Sequence, residues 1–194
     1  AFNQVEATPD SPKLQRKGMV HPLFDECLVE EPGQEIYVSK MQVNKHWVFD
    51  EHRLMDKATL PGTAYLEMVR AAGANYTQQQ RLEIREIYFL QPLIVGEIET
   101  KEVRTILQGQ GDVVEFVVMS QSTSPSVAWV EHASGKIARL PSASLETVST
   151  VSIDELEANC QQQQLDFAGK QLTTPSDFLK FGGRWNSLQW IKYG

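Results

Sequence analysis

The sequence predicts an α+β domain in which an antiparallel sheet wraps one long, buried helix. Two observations carry this. In residues 61–75, Tyr65, Met68, Val69 and Ala72 fall at i, i+3, i+4 and i+7, so they share one helical face. Four segments then follow, at 82–89, 97–107, 113–119 and 127–140, all rich in β-branched residues. Gly96, Gly109-Gln110-Gly111 and the stretch 122–126 separate them as turns. A single helix followed by a long meander is an α+β pattern, with the helix covered by the sheet.

The remaining elements follow in order. Residues 1–19, with Pro9 and Pro12, read as an irregular linker continuing from something upstream. Residues 21–29 form a short mixed apolar segment, and Pro32-Gly33 a turn. Ile36 and Val38 alternate as in a strand, whereas Met41 and Val43 suggest an irregularity near Ser39 or Lys40. Pro61 stands where a helix tolerates proline, at its start, and Gly73 is expected to mark its end. That helix is small or apolar over much of its surface, which predicts deep burial. Residues 141–174 read as a linker, Ser/Thr-rich to Thr150 and glutamine-rich at 161–164, with one short helix at 153–159. Residues 176–181 resemble a short helix and 182–188 a strand-like segment.

Composition narrows the class. The chain has 194 residues, 41% hydrophobic and 22% charged, enough apolar material for a real core. A net charge of −7 argues against non-specific nucleic-acid binding, which needs a basic footprint. No apolar run approaches the roughly 18 residues of a membrane span, and residues 1–17 lack the apolar core of a signal peptide. Cys27 and Cys160 lie in no metal-ligand spacing, so two free thiols in a reducing cytoplasm is the expectation.

The stretch 51–67 holds the chemistry. His52 is expected on an irregular loop just before the helix headed by Pro61-Gly62. An imidazole beside an apolar cavity stays neutral near physiological pH, with one nitrogen free to take a proton. The helix start offers backbone N–H groups that polarise a carbonyl oxygen. Base plus oxyanion donor is what proton abstraction α to a thioester carbonyl requires. His46 is read as a packing or surface residue, and His132, Trp185 and Trp190 as packing residues.

These residues match a known family. His52 to Pro61 resembles the signature H-x-x-x-G-x-x-x-x-P of polyketide-synthase dehydratase domains, and 60–67 is similar to their central helix. His21-Pro22-Leu23 resembles the family's opening. Trp129 to Gly135 looks like a later strand, and Phe181-Gly182-Gly183-Arg184-Trp185 is similar to its Y-G-P-x-F element. The resemblance implies a double hotdog fold: a linker at 1–19, a first hotdog at 20–140, a second linker at 141–174 and the start of a second hotdog at 175–194. It implies loss of water from a β-hydroxyacyl thioester, carried on the phosphopantetheine of an acyl carrier protein. His52 would be the base, and Pro61, Gly62, Tyr65, Phe181 and Gly182 would contact substrate. Neighbouring synthase domains, a homodimer and a cytoplasmic location are implied, with no metal or bound cofactor.

Three departures matter. Asp56 occupies the glycine position; its carboxylate either sits near His52 or points to solvent. Phe181 and Gly183 replace tyrosine and proline, and Phe181 has no hydroxyl to offer. The acid motif D-x-x-x-Q/H does not occur before Gly194. Either the second hotdog continues beyond that point, or the domain is a decayed dehydratase kept as scaffold. Half of a double hotdog is also expected to expose an apolar face.

Overall fold

The computed structural model describes residues 15–17, 21–31, 33–109, 111–122, 128–140, 150–168 and 178–194. Much of 1–19 and of 141–174, together with Pro32 and 176–177, lies outside them.

A seven-stranded antiparallel sheet forms the frame. Its strands are β1 (Gln15–Lys17), β2 (Glu26–Glu31), β3 (Gln34–Met41), β6 (Leu82–Phe89), β7 (Lys101–Gln108), β8 (Val113–Gln121) and β9 (Trp129–Arg139), in the order β1-β2-β3-β7-β8-β9-β6. After the single turn α1 (Trp47–Asp50), helix α2 (Gly62–Thr77) lies against it. In β7 and β8 burial alternates as a one-sided strand requires: Val103, Thr105 and Leu107, then Val114, Phe116, Val118 and Ser120, point inward. Burying each such aliphatic side chain contributes about 1.5–3 kcal/mol. The wrapped helix and antiparallel sheet are those of a hotdog.

Two glycines show how tightly the helix is held. Gly73 does not end α2, which runs on to Thr77 and closes at Gln78 in the left-handed region (φ 55°). A Cβ on Gly73 would lie 2.8 Å from Ile137 Cδ1 and 3.1 Å from Leu82 Cδ1. The residue is small because the sheet presses there. Gly135 does the same work within the sheet. It lies under the Phe116 ring and opposite the carbonyl of Glu86, which has φ 52° in a bulge of β6 against β9.

Elsewhere the structure corrects the sequence reading. Gln15–Lys17 is a strand, paired with β2, rather than irregular chain. β3 pairs with β7 without interruption from Gln34 to Met41, so no irregularity falls at Ser39 or Lys40. Both faces of β3 are covered: Ser39 is buried and donates to the Leu23 carbonyl. A bulge appears instead between Leu28 and Glu31 of β2. Helix α3 forms at Ile153–Asn159, as expected, with Ser152 as its N-cap. The glutamine run, in contrast, enters a strand, β10 (Gln163–Asp166), which pairs with β12 (Trp190–Tyr193). Trp190 is 46% exposed there, not core.

The third sheet positions the site. β4 (His52–Leu54) pairs with β5 (Lys57–Ala58) on one side and β11 (Leu179–Phe181) on the other. The helix expected at 176–181 is therefore a strand where it is described. Its backbone groups are satisfied by β4 rather than internally. The 182–188 segment contains a 3₁₀ turn (Gly183–Trp185) in place of a strand. At the far edge of the large sheet, Tyr88 (60%), Phe89 (55%) and the adjoining Leu90 (55%) are exposed.

Gly135→Ala tests the packing. Its Cβ would meet Phe116 at 2.8 Å and the Glu86 carbonyl oxygen at 2.9 Å. Urea unfolding should show a loss of about 1–3 kcal/mol, despite alanine's better strand entropy.

Candidate active site

His52 opens a short strand rather than an irregular loop. Thr59 donates its N–H to the His52 carbonyl at 3.0 Å. The Thr59 carbonyl lies 2.8 Å from His52 Nδ1. A carbonyl oxygen only accepts, so Nδ1 carries the proton. In the neutral ring the lone pair then lies on Nε2, the atom a proton acceptor uses. Thr59 thus fixes both the position and the tautomer of the ring. It was missed in the sequence because what it contributes is a carbonyl, which every residue has.

The turn that folds Thr59 back onto His52 explains the glycine position. Met55 (φ 48°) and Asp56 (φ 63°) are both left-handed, and they join β4 to β5 in a two-residue hairpin of the I′ kind. Glycine suits such a turn, and aspartate tolerates it better than most residues. The Asp56 carboxylate is bonded to Lys180 Nζ at 2.7 Å, and the side chain is 76% exposed. Of the two readings left open, the structure shows the solvent-facing one. The Lys180 hydrogen bond and charge, with a smaller contribution from the charge of Arg53, hold its carboxyl below the usual range.

A wall of rings closes one side of His52. β11 sets Phe181 directly opposite it in register. The His52 ring centroid lies 5.7 Å from those of Phe181 and Trp185, which are 5.1 Å from each other. Trp47 continues the stack at 6.4 Å from Trp185. Trp185 is therefore a half-buried neighbour of the imidazole, not a remote core residue. Its Nε1–H is buried with no partner among the described residues. Gly182 donates its N–H to the Glu51 carbonyl at 2.9 Å.

Two cavities flank the start of α2, whose N-cap is Pro61 and which no side chain caps. The larger, about 330 Å³, is lined by His21, Leu23, His46, Trp47, Pro61, Thr63, Glu67 and Trp185, among others. The smaller, about 270 Å³, is lined by Leu54, Thr59, Gly62, Tyr65, Phe89 and Pro92, among others. Pro61 therefore faces one cavity and Gly62 and Tyr65 the other, whereas His52, Phe181 and Gly182 line neither; the imidazole adjoins them through Trp185 and Thr59. The Tyr65 hydroxyl accepts from the Leu93 N–H at 3.2 Å, and burial pushes its pKa up.

Charged groups line the larger cavity. Leu23 donates its N–H to His21 Nδ1, so Nε2–H faces Glu67 Oε1 at 3.2 Å. Arg70 grips the same carboxylate twice at 2.7 Å. Arg70, with His21 adding to it, lowers the Glu67 pKa to about 2. Burial holds the His46 imidazole below its ordinary value, with Nδ1 3.1 Å from the Gln42 carbonyl oxygen. His132 is a buried packing histidine, as expected, donating from Nδ1 to the Gln91 carbonyl and accepting from Ser120. No His/Cys/Asp/Glu group suited to a metal occurs among the described residues, and both cysteines are free thiols.

Glu67 makes stability depend on pH. A carboxylate that ionises more readily when folded stabilises the fold above its unfolded pKa, near 4.5, and loses that contribution as pH falls toward about 2. Urea unfolding of the wild type and Glu67→Gln should differ at pH 6 and converge toward pH 2; a constant gap would contradict it. The hairpin gives a second expectation. Asp56→Gly should melt at or above the wild type, and Asp56→Val roughly 5 °C below Asp56→Gly, because a β-branched residue resists φ > 0.

Known proteins share this architecture. Residues 21–121, just over half the chain, match the family described as "Polyketide synthase dehydratase domain". Polyketide synthase ThaG of Burkholderia thailandensis is 29% identical over 109 residues, 54% of this chain and 2% of that protein. The spectinabilin polyketide synthase system protein NorA of Streptomyces orinoci is 28% identical over 127 residues, 62% of this chain and 7% of that one. Among solved structures, the dehydratase domain from the CurF module of curacin polyketide synthase superposes with a TM-score of 0.79. It shows 23% identity over 91% of this chain and 63% of its own. The dehydratase domain of a mycocerosic acid synthase-like synthase gives 0.76 at 20% identity, over 92% and 60%. The chain thus spans about three-fifths of the solved domains and a small fraction of the synthases. The chain belongs to the polyketide synthase dehydratase domain family.

Proposed function

We propose that this chain supplies the base-bearing half of a dehydratase, which converts a β-hydroxyacyl thioester into an α,β-enoyl thioester. The observation that carries this reading is the Nδ1–H···O=C bond from His52 to Thr59, which in the neutral ring puts the lone pair on Nε2. Nε2 takes the proton from Cα. The C–H electron pair becomes the Cα=Cβ bond, and the β-hydroxyl leaves as water with a proton from an acid. No aspartate of the chain is followed four residues later by Gln or His, so that acid comes from outside these residues. Two groups with opposite protonation needs then share one pocket. In the related CurK dehydratase, a histidine-to-phenylalanine variant and an aspartate-to-asparagine variant are both described as inactive, in keeping with such a pair.

The flanking cavities suit a thioester with an acyl tail. Their linings are largely apolar, and the start of α2 lies between them. The thioester would reach them on the phosphopantetheine arm of an acyl carrier protein, within a synthase whose neighbouring domains deliver and remove it. No resident metal or redox group has a place in this step. A cytoplasmic synthase acting as a homodimer is the setting we infer. Among the described residues no helix is long and apolar enough to cross a membrane.

A second reading, a non-catalytic dehydratase-like scaffold, is favoured by one observation. Phe181, beside His52, brings no hydroxyl to the pocket. Turnover separates the two. The full-length protein with a β-hydroxyacyl carrier protein should yield a product lighter by one water. His52→Ala should slow that by about 10²–10⁴-fold. No product from any acyl chain would establish the scaffold; unchanged turnover in His52→Ala would remove His52 from the chemistry.

A further inference from the structure

The residue before the candidate base does something the dehydratase chemistry alone does not require. Glu51 is charged and stands beside a turn, yet its side chain is only 15% exposed. It lies across Gly182, where a Cβ would collide with both Cβ and Cγ of Glu51. Beyond Gly182 its carboxylate accepts the backbone N–H of Arg184 at 2.6 Å and a guanidinium N–H of the same residue. The Glu51 carbonyl meanwhile accepts the Gly182 N–H at 2.9 Å. One residue therefore holds three donors of the 182–184 turn.

That turn carries the ring wall. Phe181 precedes it, and Trp185 ends it with its N–H bonded to the Gly182 carbonyl at 3.1 Å. Both rings pack on His52. Arg184 also lies over Trp47, 5.4 Å from the ring. The bonds to the Glu51 carboxylate are charge-assisted, the stronger class of hydrogen bond.

We propose that Glu51 is a positioning residue: it latches the 182–184 turn so that Phe181 and Trp185 wall the His52 ring. Gly182 is its complement, the residue whose missing side chain lets the glutamate cross. The effect on rate rests on the dehydratase reading above, while the latch itself does not. Without it the wall loosens, water reaches the imidazole, and the ring departs from its productive orientation. A displacement of about 1 Å in such a site costs up to about 10²-fold in rate.

The test uses full-length protein, with Trp185→Phe to assign its indole signal by NMR. Glu51→Ala should speed exchange of the Trp185 indole N–H at least tenfold. It should lower kcat by about 10- to 100-fold with little change in KM, at a melting temperature still well above the assay. Glu51→Gln keeps an acceptor for the Arg184 N–H and should recover most of both. Should Glu51→Ala not fold, Glu51→Gln decides: indole exchange between wild type and an Arg184→Pro variant supports the latch. Wild-type indole exchange and wild-type kcat in Glu51→Ala, or in Arg184→Pro should Glu51→Ala not fold, would overturn it. If the wild type shows no turnover, the dehydratase reading fails, and the exchange measurement still decides the latch alone.

Discussion

The structure depends on α2 being pressed into the sheet along one side and bounded by irregular chain at its start. Small residues make that possible. Gly73 lets the backbone approach Ile137 and Leu82, and Ala64, Ala71 and Ala72 are buried along the same helix. Once α2 is placed, Pro61 and Gly62 are placed, and with them the segment 58–60. Leu60 N–H then bonds to the Leu93 carbonyl and Val95 N–H to the Ala58 carbonyl. Thr59 is held between these two bonds. The imidazole hangs from Thr59, so the ring inherits the rigidity of the helix.

The site also places an anion four residues from the candidate base without aiming it at the ring. A carboxylate aimed at His52 would favour the imidazolium and so oppose its use as a base. The hairpin turns Asp56 outward to Lys180 instead. The left-handed conformation that favours glycine is the one that sends the side chain away from the ring. A glycine would meet the same backbone requirement as this aspartate, whose ion pair lies at the surface, where such pairs contribute little.

Much of this was legible from the residues. The helical spacing of Tyr65, Met68, Val69 and Ala72 and the β-branched runs dictate a wrapped helix, and both elements form nearly where periodicity puts them. Where expectation failed, tertiary contact outweighed local pattern. Gly73 reads as a stop by propensity, but it is a packing glycine. Residues 179–181 read as helix, yet β4 offers them a ladder. His52 stood out through its neighbours in sequence. Its partners did not: Thr59 acts through its backbone, and Trp185 acts from a segment more than a hundred residues away. Only folding brings them together.

That separation has a consequence for how the molecule comes into being. Glu51 and the Arg184 it holds are 133 residues apart, and Asp56 and Lys180 are 124 apart. The helix and the meander need only chain that leaves the ribosome early, whereas the enclosure of His52 waits for a strand made much later. Closing so long a loop is slow, although its entropy grows only as the logarithm of its length. During synthesis the imidazole is thus first presented uncovered, and it becomes sheltered only when that distant turn arrives.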